Sequence, residues 1–429
     1  MTSKDISSSL GTQRRLRALF LLCAASVAVA ACGGGGSNSN ADTTTGNAPA
    51  PSADGGTTPS APVSPPTSPA PTPPAPTPPA PGPAPTPPAP PPADGAPVAG
   101  NPTGACAVPA AGQARSVSTP TTVVGTGTAA SCTSAAVVAA VGNGGVVTFN
   151  CGADPVIINM AATARIFNNK PDLVLDGGGK VTLSGGGARR ILYQNTCDPS
   201  LVWMSATCNL DDSPKTTLQN MTLADGNSSG QNYGFDNVDG GGAVFARGGR
   251  LSIINTRFFR NQCESGGPDL GGAAVRVREM SGASPVVVAG STFGGASGYG
   301  NTCSNGGGLS GLAASYTVIN SVFTHNRAVG VGANPQRAGT SGGGSGGAIY
   351  MDGNRFDLSV CGTVMNNNTA NEGGGAIFYV SNNLTGTMSL ANSTFSANPS
   401  AGFETQGLPG MFVLAAPGQP VITNSSITR

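Results

Sequence analysis

Candidate chemistry in this sequence depends on a small group of carboxylates and arginines that lie close together along the chain. The group comprises Asp236, Asp239, Asp269, Arg276 and Arg278. Clustered carboxylates can hold Ca²⁺, and an arginine beside them can act as a base that removes a proton from a substrate. The competing interpretation is a solvated strand face, because Val275 and Val277 alternate with the arginines and would point inward. The sequence favours the solvated face and leaves these five residues as candidate binding residues.

Other catalytic patterns are missing from the sequence. It contains no Gly-x-Ser-x-Gly segment and no Walker A motif, and its only histidine, His325, is expected in a turn. The cysteines lack Cys-x-x-Cys spacing, so no metal site and no cofactor are expected, apart from Ca²⁺ if the carboxylate group described above serves an enzyme. A net charge of +1 with four lysines gives no polybasic surface, so nucleic acid is not expected as a partner.

The elements that would position these residues are set by a repeat in the second half of the chain. Its first marker is a segment that mostly begins with Asn and ends with an apolar residue: Asn220-Met-Thr-Leu223, Asn255-Thr-Arg-Phe258, Gly290-Ser-Thr-Phe293, Asn320-Ser-Val-Phe323, Cys361-Gly-Thr-Val364, Asn392-Ser-Thr-Phe395 and Asn424-Ser-Ser-Ile427. Successive markers are 30 to 41 residues apart. A repeat with strands and no helix must stack on its neighbours to bury its apolar side.

Two further markers recur with the same period. Gly-Gly pairs precede apolar strands, as in Gly346-Gly347-Ala348, and an aromatic residue is followed by Asn three positions later, as in Phe323/Asn326. We predict an all-β fold, a single-chain right-handed parallel β-helix of about nine coils, with a capping helix at Thr133 to Val141. The first Asn of each marker is expected to form a buried ladder of stacked amides. The alternative, a β-sandwich with Asn and Gly as turn formers, does not explain the constant register.

These motifs resemble known right-handed β-helix proteins. The Gly-Gly-Ala and Phe-x-x-Asn segments, with Asp176-Gly-Gly-Gly and Leu183-Ser-Gly-Gly-Gly, resemble polymorphic outer membrane protein repeats and the pectate-lyase-like superfold. The resemblance covers about residues 130 to 429. It implies the β-helix fold, and because the superfold includes lyases, adhesins and surface proteins, it does not decide the activity.

The N-terminus has the features of a bacterial lipoprotein signal. Arg14, Arg15 and Arg17 precede an apolar run, which ends in Val29-Ala30-Ala31-Cys32 and resembles a lipobox. Residues 1–31 are therefore predicted to be a signal peptide and Cys32 the lipidation site, anchoring the protein to the outer membrane on the periplasmic or the cell-surface side. An ordinary signal peptide with an incidental Cys32 is the alternative.

A low-complexity segment separates this anchor from the folded part. Residues 32–103 are predicted to form a Gly-, Ser- and Pro-rich disordered stalk, and residues 104–429 the β-helix domain. The stretch from Pro59 to Pro97 favours polyproline II, giving a semi-rigid spacer on the order of 100 Å. A Pro-rich ligand for a partner domain is the alternative.

Eight cysteines follow Cys32, an even number that suits an exported, oxidised protein. The expected disulfides are Cys263 with Cys303, Cys197 with Cys208, and Cys132 with Cys151. Cys361 is expected to replace a ladder Asn and to be buried and free. Cys106 has no obvious partner.

Two functions from different classes follow from these observations. The first is a surface-displayed binding, adhesion or structural module that contacts a glycan or protein along a rim of long loops, including Asp225 to Gly240 and Arg327 to Gly346. The second is a carbohydrate-active enzyme, most plausibly a polysaccharide lyase. The missing catalytic constellation favours the first.

Overall fold

A computed structural model describes residues 96–231, 239–280 and 284–429, which are mostly β with long parallel sheets. The predicted signal peptide, Cys32, most of the predicted stalk and Asp236 lie outside the described residues. Within the described ranges, no helix has the length and apolar character needed to cross a bilayer.

Three long parallel sheets and one short one contain the described strands. Sheet A contains, in order, β1 (Thr122–Val124), β2 (Gly145–Phe149), β5 (Asp172–Asp176), β8 (Lys215–Gln219), β11 (Arg250–Ile254), β14 (Val286–Ala289), β18 (Tyr316–Ile319), β22 (Asp357–Cys361), β26 (Thr387–Ala391) and β29 (Val421–Thr423). Sheet B contains β3 (Val156–Asn159), β6 (Val181–Ser184), β9 (Thr222–Ala224), β12 (Arg257–Phe259), β15 (Thr292–Phe293), β19 (Val322–Thr324), β23 (Val364–Asn366), β27 (Thr394–Ser396) and β30 (Ser426–Ile427).

Sheet C contains β4 (Ala164–Ile166), β7 (Leu192–Asn195), β10 (Val244–Arg247), β13 (Val275–Arg278), β17 (Leu309–Leu312), β21 (Ile349–Gly353), β25 (Ile377–Ser381) and β28 (Met411–Leu414). The short sheet D contains β16 (Thr302–Cys303), β20 (Arg327–Ala328) and β24 (Thr369–Ala370). From β2 onward the chain visits sheets A, B and C in turn, and each strand pairs in parallel with strands of the neighbouring repeats. The described residues complete this cycle eight times and begin a ninth, close to the expected number.

Helix α1 (Ser134–Asn143) precedes the first full repeat. The side chain of its N-cap residue, Thr133, accepts a hydrogen bond from the backbone N–H of Ala136, and Gly144 ends the helix. Val137, Ala140 and Val141 are buried against the first repeats. The predicted helix is therefore present, two residues longer at its C-terminal end.

The core is filled by side chains that repeat in register. On sheet B, Phe258, Phe293 and Phe323 are paired in neighbouring strands and are fully buried. Their rings stack with centroids 4.6 and 4.4 Å apart. Each aromatic therefore covers the apolar face of the previous repeat, which a single repeat could not bury alone.

The buried Asn ladder exists, but at a different position from the predicted one. It is formed by the Asn of the Phe-x-x-Asn turn and its equivalents: Asn261, Asn301, Asn326, Asn368 and Asn398, all at most 4% exposed. The Nδ2 of each of the first four donates to the Oδ1 of the next at 2.8–2.9 Å. The same Nδ2 atoms also donate to backbone carbonyls inside the sheet, for example Asn326 to Phe293 at 2.9 Å.

The Asn residues that begin each marker have a conformational role instead. Asn255, Asn320 and Asn392 lie at the corner between sheets A and B with φ of 48–51° and are exposed or half-buried. Asn tolerates this left-handed conformation better than most residues, and Gly290 and Gly362 occupy it in two other repeats. The predicted buried ladder at these positions is therefore wrong.

The structure contains the three predicted disulfides and one more. Cys132–Cys151, Cys197–Cys208 and Cys263–Cys303 have Cα atoms 5.6, 5.0 and 4.8 Å apart. Cys361 is neither buried nor free: its side chain is half-buried and it is bonded to Cys106, 255 residues earlier. The repeat marker that begins at Cys361 is shifted by one residue from the others. Cys361 pairs with Ile319, so Gly362, and not Cys361, is the equivalent of Asn320.

This fourth disulfide fastens a strap formed by residues 96–115, which runs across several repeats. The backbone N–H of Gly100 donates to Thr292 Oγ1 at 2.9 Å, and Asn320 Nδ2 donates to the carbonyl of Cys106 at 2.9 Å. Further along, the N–H of Arg115 donates to Gln219 Oε1 at 2.8 Å. Packing onto the repeats thus already begins before residue 104.

Candidate functional site

The outer face of sheet C carries the candidate functional residues. Val275 and Val277 of β13 point into the core, as predicted, and Arg276 between them points outward. The prediction of a solvated arginine is nevertheless wrong for Arg276, whose side chain is 0% exposed because long loops fold over this face.

Arg276 is held by contacts from the neighbouring repeat and from the loops. Its Nη1 donates to Ser310 Oγ at 2.6 Å, and Ser310 is its direct partner on β17. Its Nη2 donates to the backbone carbonyl of Asp269 and lies 3.5 Å from the carboxylate of Asp239. The buried charge is therefore compensated by a loop carboxylate and a carbonyl, as a desolvated guanidinium requires.

A second polar group lies one repeat further along the same face. Asn334 Nδ2 donates to Asp269 Oδ1 at 2.6 Å, to Asp352 Oδ2 at 3.2 Å and to the Tyr350 hydroxyl oxygen at 3.3 Å. The Tyr350 hydroxyl donates to Asp352 Oδ2 at 3.2 Å, and Asn382 Nδ2 donates to Asp352 Oδ1 at 2.9 Å. One loop amide therefore links an exposed carboxylate, Asp269, to a buried one, Asp352.

The register of sheet C explains why these groups meet. In one row, Arg276 pairs with Ser310, which pairs with Tyr350. In a second row, two residues further along each strand, Arg278 pairs with Leu312, which pairs with Asp352. The side chains thus form two parallel rows on one face, since residues two apart on a strand share a face. We name Asp239, Asp269, Arg276, Arg278, Asn334, Tyr350 and Asp352 the sheet C site.

The electrostatics of the site follow from its burial. Desolvation, with the nearby Asp269 charge, raises the pKa of Asp352 above its usual value. Burial also raises the pKa of Tyr350 well above its ordinary value, with further contributions from Asp352 and Asp269. Desolvation lowers the pKa of Arg278, helped by the adjacent charge of Arg276. The site thus combines Asp352, a buried carboxyl group whose raised pKa favours protonation, with Asp269, a carboxylate on the surface.

The loop that supplies Asn334 is fixed by an ion pair. Arg337 Nη2 lies 2.6 Å from Glu372 Oε1, and the N–H of Gly332 donates to the same oxygen at 2.8 Å. Although desolvation opposes it, this hydrogen bonding lowers the pKa of Glu372 overall. Short strands of sheet D order the same connections in three repeats, so the loops between sheets B and C lie side by side.

Four of the five residues expected from the sequence meet at this face. Asp239, Asp269, Arg276 and Arg278 converge on it, and Asp236 lies outside the described residues. Sequence reasoning missed Asn334, Tyr350 and Asp352. The last two could have been found from the alternation of β21, where Tyr350 and Asp352 share one face. Nothing in the sequence signals Asn334, because its contribution depends on how a long loop folds back.

The chemistry available to the site is hydrogen bonding with both donors and acceptors. In the described ranges, no group of three or more His, Cys, Asp or Glu side chains is arranged to hold a metal ion. Arginine donors beside aspartate acceptors suit a ligand rich in hydroxyl groups.

Comparisons of this chain with protein families, with curated proteins and with solved structures found no match.

Proposed function

We propose that this chain is an exported, lipid-anchored parallel β-helix protein that binds a glycan on the outer face of sheet C. The cyclic order of sheets A, B and C supports the β-helix, and the strong preference for right-handed crossovers between parallel strands favours a right-handed one. The lipobox-like segment ending at Cys32 and the four disulfides support export to an oxidising compartment. We include in this proposal that the chain is related to the polymorphic outer membrane proteins, whose repeat motifs its sequence resembles.

One observation carries the binding function: Asn334 joins Asp269 and Asp352 beside the buried Arg276, on a rigid sheet. Buried polar groups of this kind cost folding free energy unless they are satisfied, so their arrangement on one face calls for a role. A sugar offers hydroxyls that can donate to the exposed Asp269 and accept from the half-buried Arg278. Arg276 is fully buried and supports this face from beneath. The mixed charges favour such a ligand over a strongly charged one.

Asp269 provides the test, because its side chain is exposed and its substitution should leave the fold intact. The purified chain without its signal peptide is applied to a glycan array, together with Asp269→Ala. Asp154→Ala, which removes an exposed aspartate elsewhere, is the matched control. We expect one glycan class to bind the parent and the control but not Asp269→Ala. Equal binding by all three, or none by any, would contradict the proposal.

The alternative function is a polysaccharide lyase, favoured by the convergence of Arg276 and Arg278 with carboxylates. A lyase needs a base that removes a proton beside a uronate carboxylate, and an arginine whose pKa is lowered could serve. Incubation with pectate, alginate or chondroitin sulfate tests this directly by the absorbance of an unsaturated product. Turnover that is lost in Arg278→Gln would replace the binding proposal with the enzymatic one.

A further inference from the structure

A cleft of about 520 Å³ lies between sheet A and an insertion in the chain. None of its lining residues belongs to the sheet C site. The insertion connects β7 to β8, and the cleft is lined by Asp172, Trp203, Asp211, Asp212 and Lys215, among others. Its volume is in the range typical of small-molecule sites, ~300–1,000 Å³. The cleft therefore has room for a ligand of one or a few rings.

Trp203 is the single tryptophan of the chain, and it is 44% exposed. Burial of a tryptophan side chain is strongly favourable in free energy. A tryptophan that is held exposed at the edge of a cleft therefore indicates a contact surface. Its flat indole ring can stack on the apolar C–H face of a sugar, leaving the hydroxyls of that sugar free to reach polar neighbours.

The insertion holds Trp203 in place before any ligand arrives. The Cys197–Cys208 disulfide closes the loop, and Asn168 Nδ2 donates to the carbonyl of Trp203 at 2.7 Å. Leu201, two residues earlier, is fully buried against Tyr193 and Phe245 of sheet C. Such anchoring lowers the ordering cost of binding, which is how rigid loops gain affinity.

The three carboxylates of the cleft are matched by Lys215 in its lining and by two arginines beside it, Arg115 and Arg250. Asp172 pairs with Arg115, and Asp212 pairs with Arg250 and with Lys215, the latter at 3.4 Å. Asp211 accepts a hydrogen bond from Ser205 Oγ at 2.9 Å. Because ion-paired carboxylates keep free lone pairs while their net charge is compensated, the cleft offers hydrogen bonds without a net attraction for a cation or an anion.

From these observations we propose that the Trp203 cleft binds a neutral oligosaccharide, with one sugar ring stacked on the indole and its hydroxyls bonded to Asp172, Asp212 and Lys215. The cleft shares no lining residue with the sheet C site, and its proposed ligand does not depend on that site. Its function would be to hold a second part of a glycan or a separate chain.

The single tryptophan makes the test specific, because its fluorescence reports this cleft alone. The chain without its signal peptide is titrated separately with cellohexaose, xylohexaose, maltohexaose and chitohexaose. We expect a saturable change in Trp203 emission with at least one of them. Calorimetry should show that Trp203→Ala binds the same sugar at least about tenfold more weakly than the parent. Met204→Ala, which shortens an exposed neighbour outside the cleft lining, is the matched control and should bind as the parent does.

Three results would overturn the proposal. These are no saturable change with any of the four sugars, affinity unchanged in Trp203→Ala, or saturation by tetramethylammonium chloride instead, which would indicate a cation site. Each leaves the glycan-array test of Asp269 unaffected, so the two proposals can fail separately.

Discussion

Asn326 donates from Nδ2 to Asn368 Oδ1 at 2.9 Å, although 42 residues separate the two in sequence. Both side chains are fully buried, and both belong to the ladder that continues through Asn301 and Asn398. Removing one amide leaves its neighbours with unsatisfied buried atoms. The ladder therefore makes each repeat depend on the next for stability, as expected of a stacked array.

We predict that Asn326→Leu destabilises the domain by about 3 kcal/mol, because it removes hydrogen bonds in both directions along the ladder. The thermal midpoint measures the effect. Asn255→Gly is the matched control: it removes an exposed corner Asn, and glycine occupies the same corner at Gly290, so its midpoint should change little. Equal losses for both variants would show that burial does not distinguish the two Asn positions.

The Cys106–Cys361 bond should hold the strap against the repeats. A disulfide that closes a long loop stabilises by about 2–5 kcal/mol, so Cys106→Ser should lower the thermal midpoint measurably. Hydrogen exchange should become faster in residues 96–115 and change little around Asn368. Non-reducing peptide mapping of the parent gives the direct control, and recovery of Cys106 and Cys361 as free thiols would contradict the pairing.

Asp352 should make stability depend on pH in the direction opposite to a typical carboxylate. Its folded-state pKa is raised, so the folded protein binds the proton more tightly than the unfolded chain. Stability from this group is fully present below its unfolded value, about 4, and is lost as pH rises through the folded pKa. Asp352→Asn, which mimics the protonated form, should therefore raise the thermal midpoint at pH 7, and this gain should shrink towards pH 4. A midpoint difference that is constant with pH would refute this account.

Cys32 is predicted to carry the lipid, although it lies outside the described residues. Cys32→Ser should move the protein from the membrane fraction to the soluble exported fraction and should abolish labelling by an alkyne-tagged fatty acid. Cys23→Ser, within the apolar run that precedes the lipobox-like segment, is the control and should remain membrane-bound. Membrane retention of Cys32→Ser would locate the anchor elsewhere.

The sequence by itself determined the repeat, and with it much of the architecture. Phe323 and Asn326 recur because every repeat must offer the same side chain to the next, so the period is readable without coordinates. Local signals also predicted the helix over Thr133 to Val141, and the repeat predicted the pairing of Cys263 with Cys303, which lie at equivalent positions in adjacent repeats. Local signals of this kind depend on neighbours in the sequence or one repeat away.

Tertiary structure decided which of two Asn positions is buried, because both Asn320 and Asn326 suit a turn, and only the packing of sheet B encloses the second. It also decided that Cys106 reaches Cys361, since a strap can cross repeats in a way that no periodicity records. The candidate site depended on it most. Arg276 is buried because loops between sheets B and C fold over it, and Asn334 joins Asp269 to Asp352 only because its long loop returns to the sheet. The conformation of long loops is set by contacts distant in sequence, whereas a repeat records only contacts between neighbours.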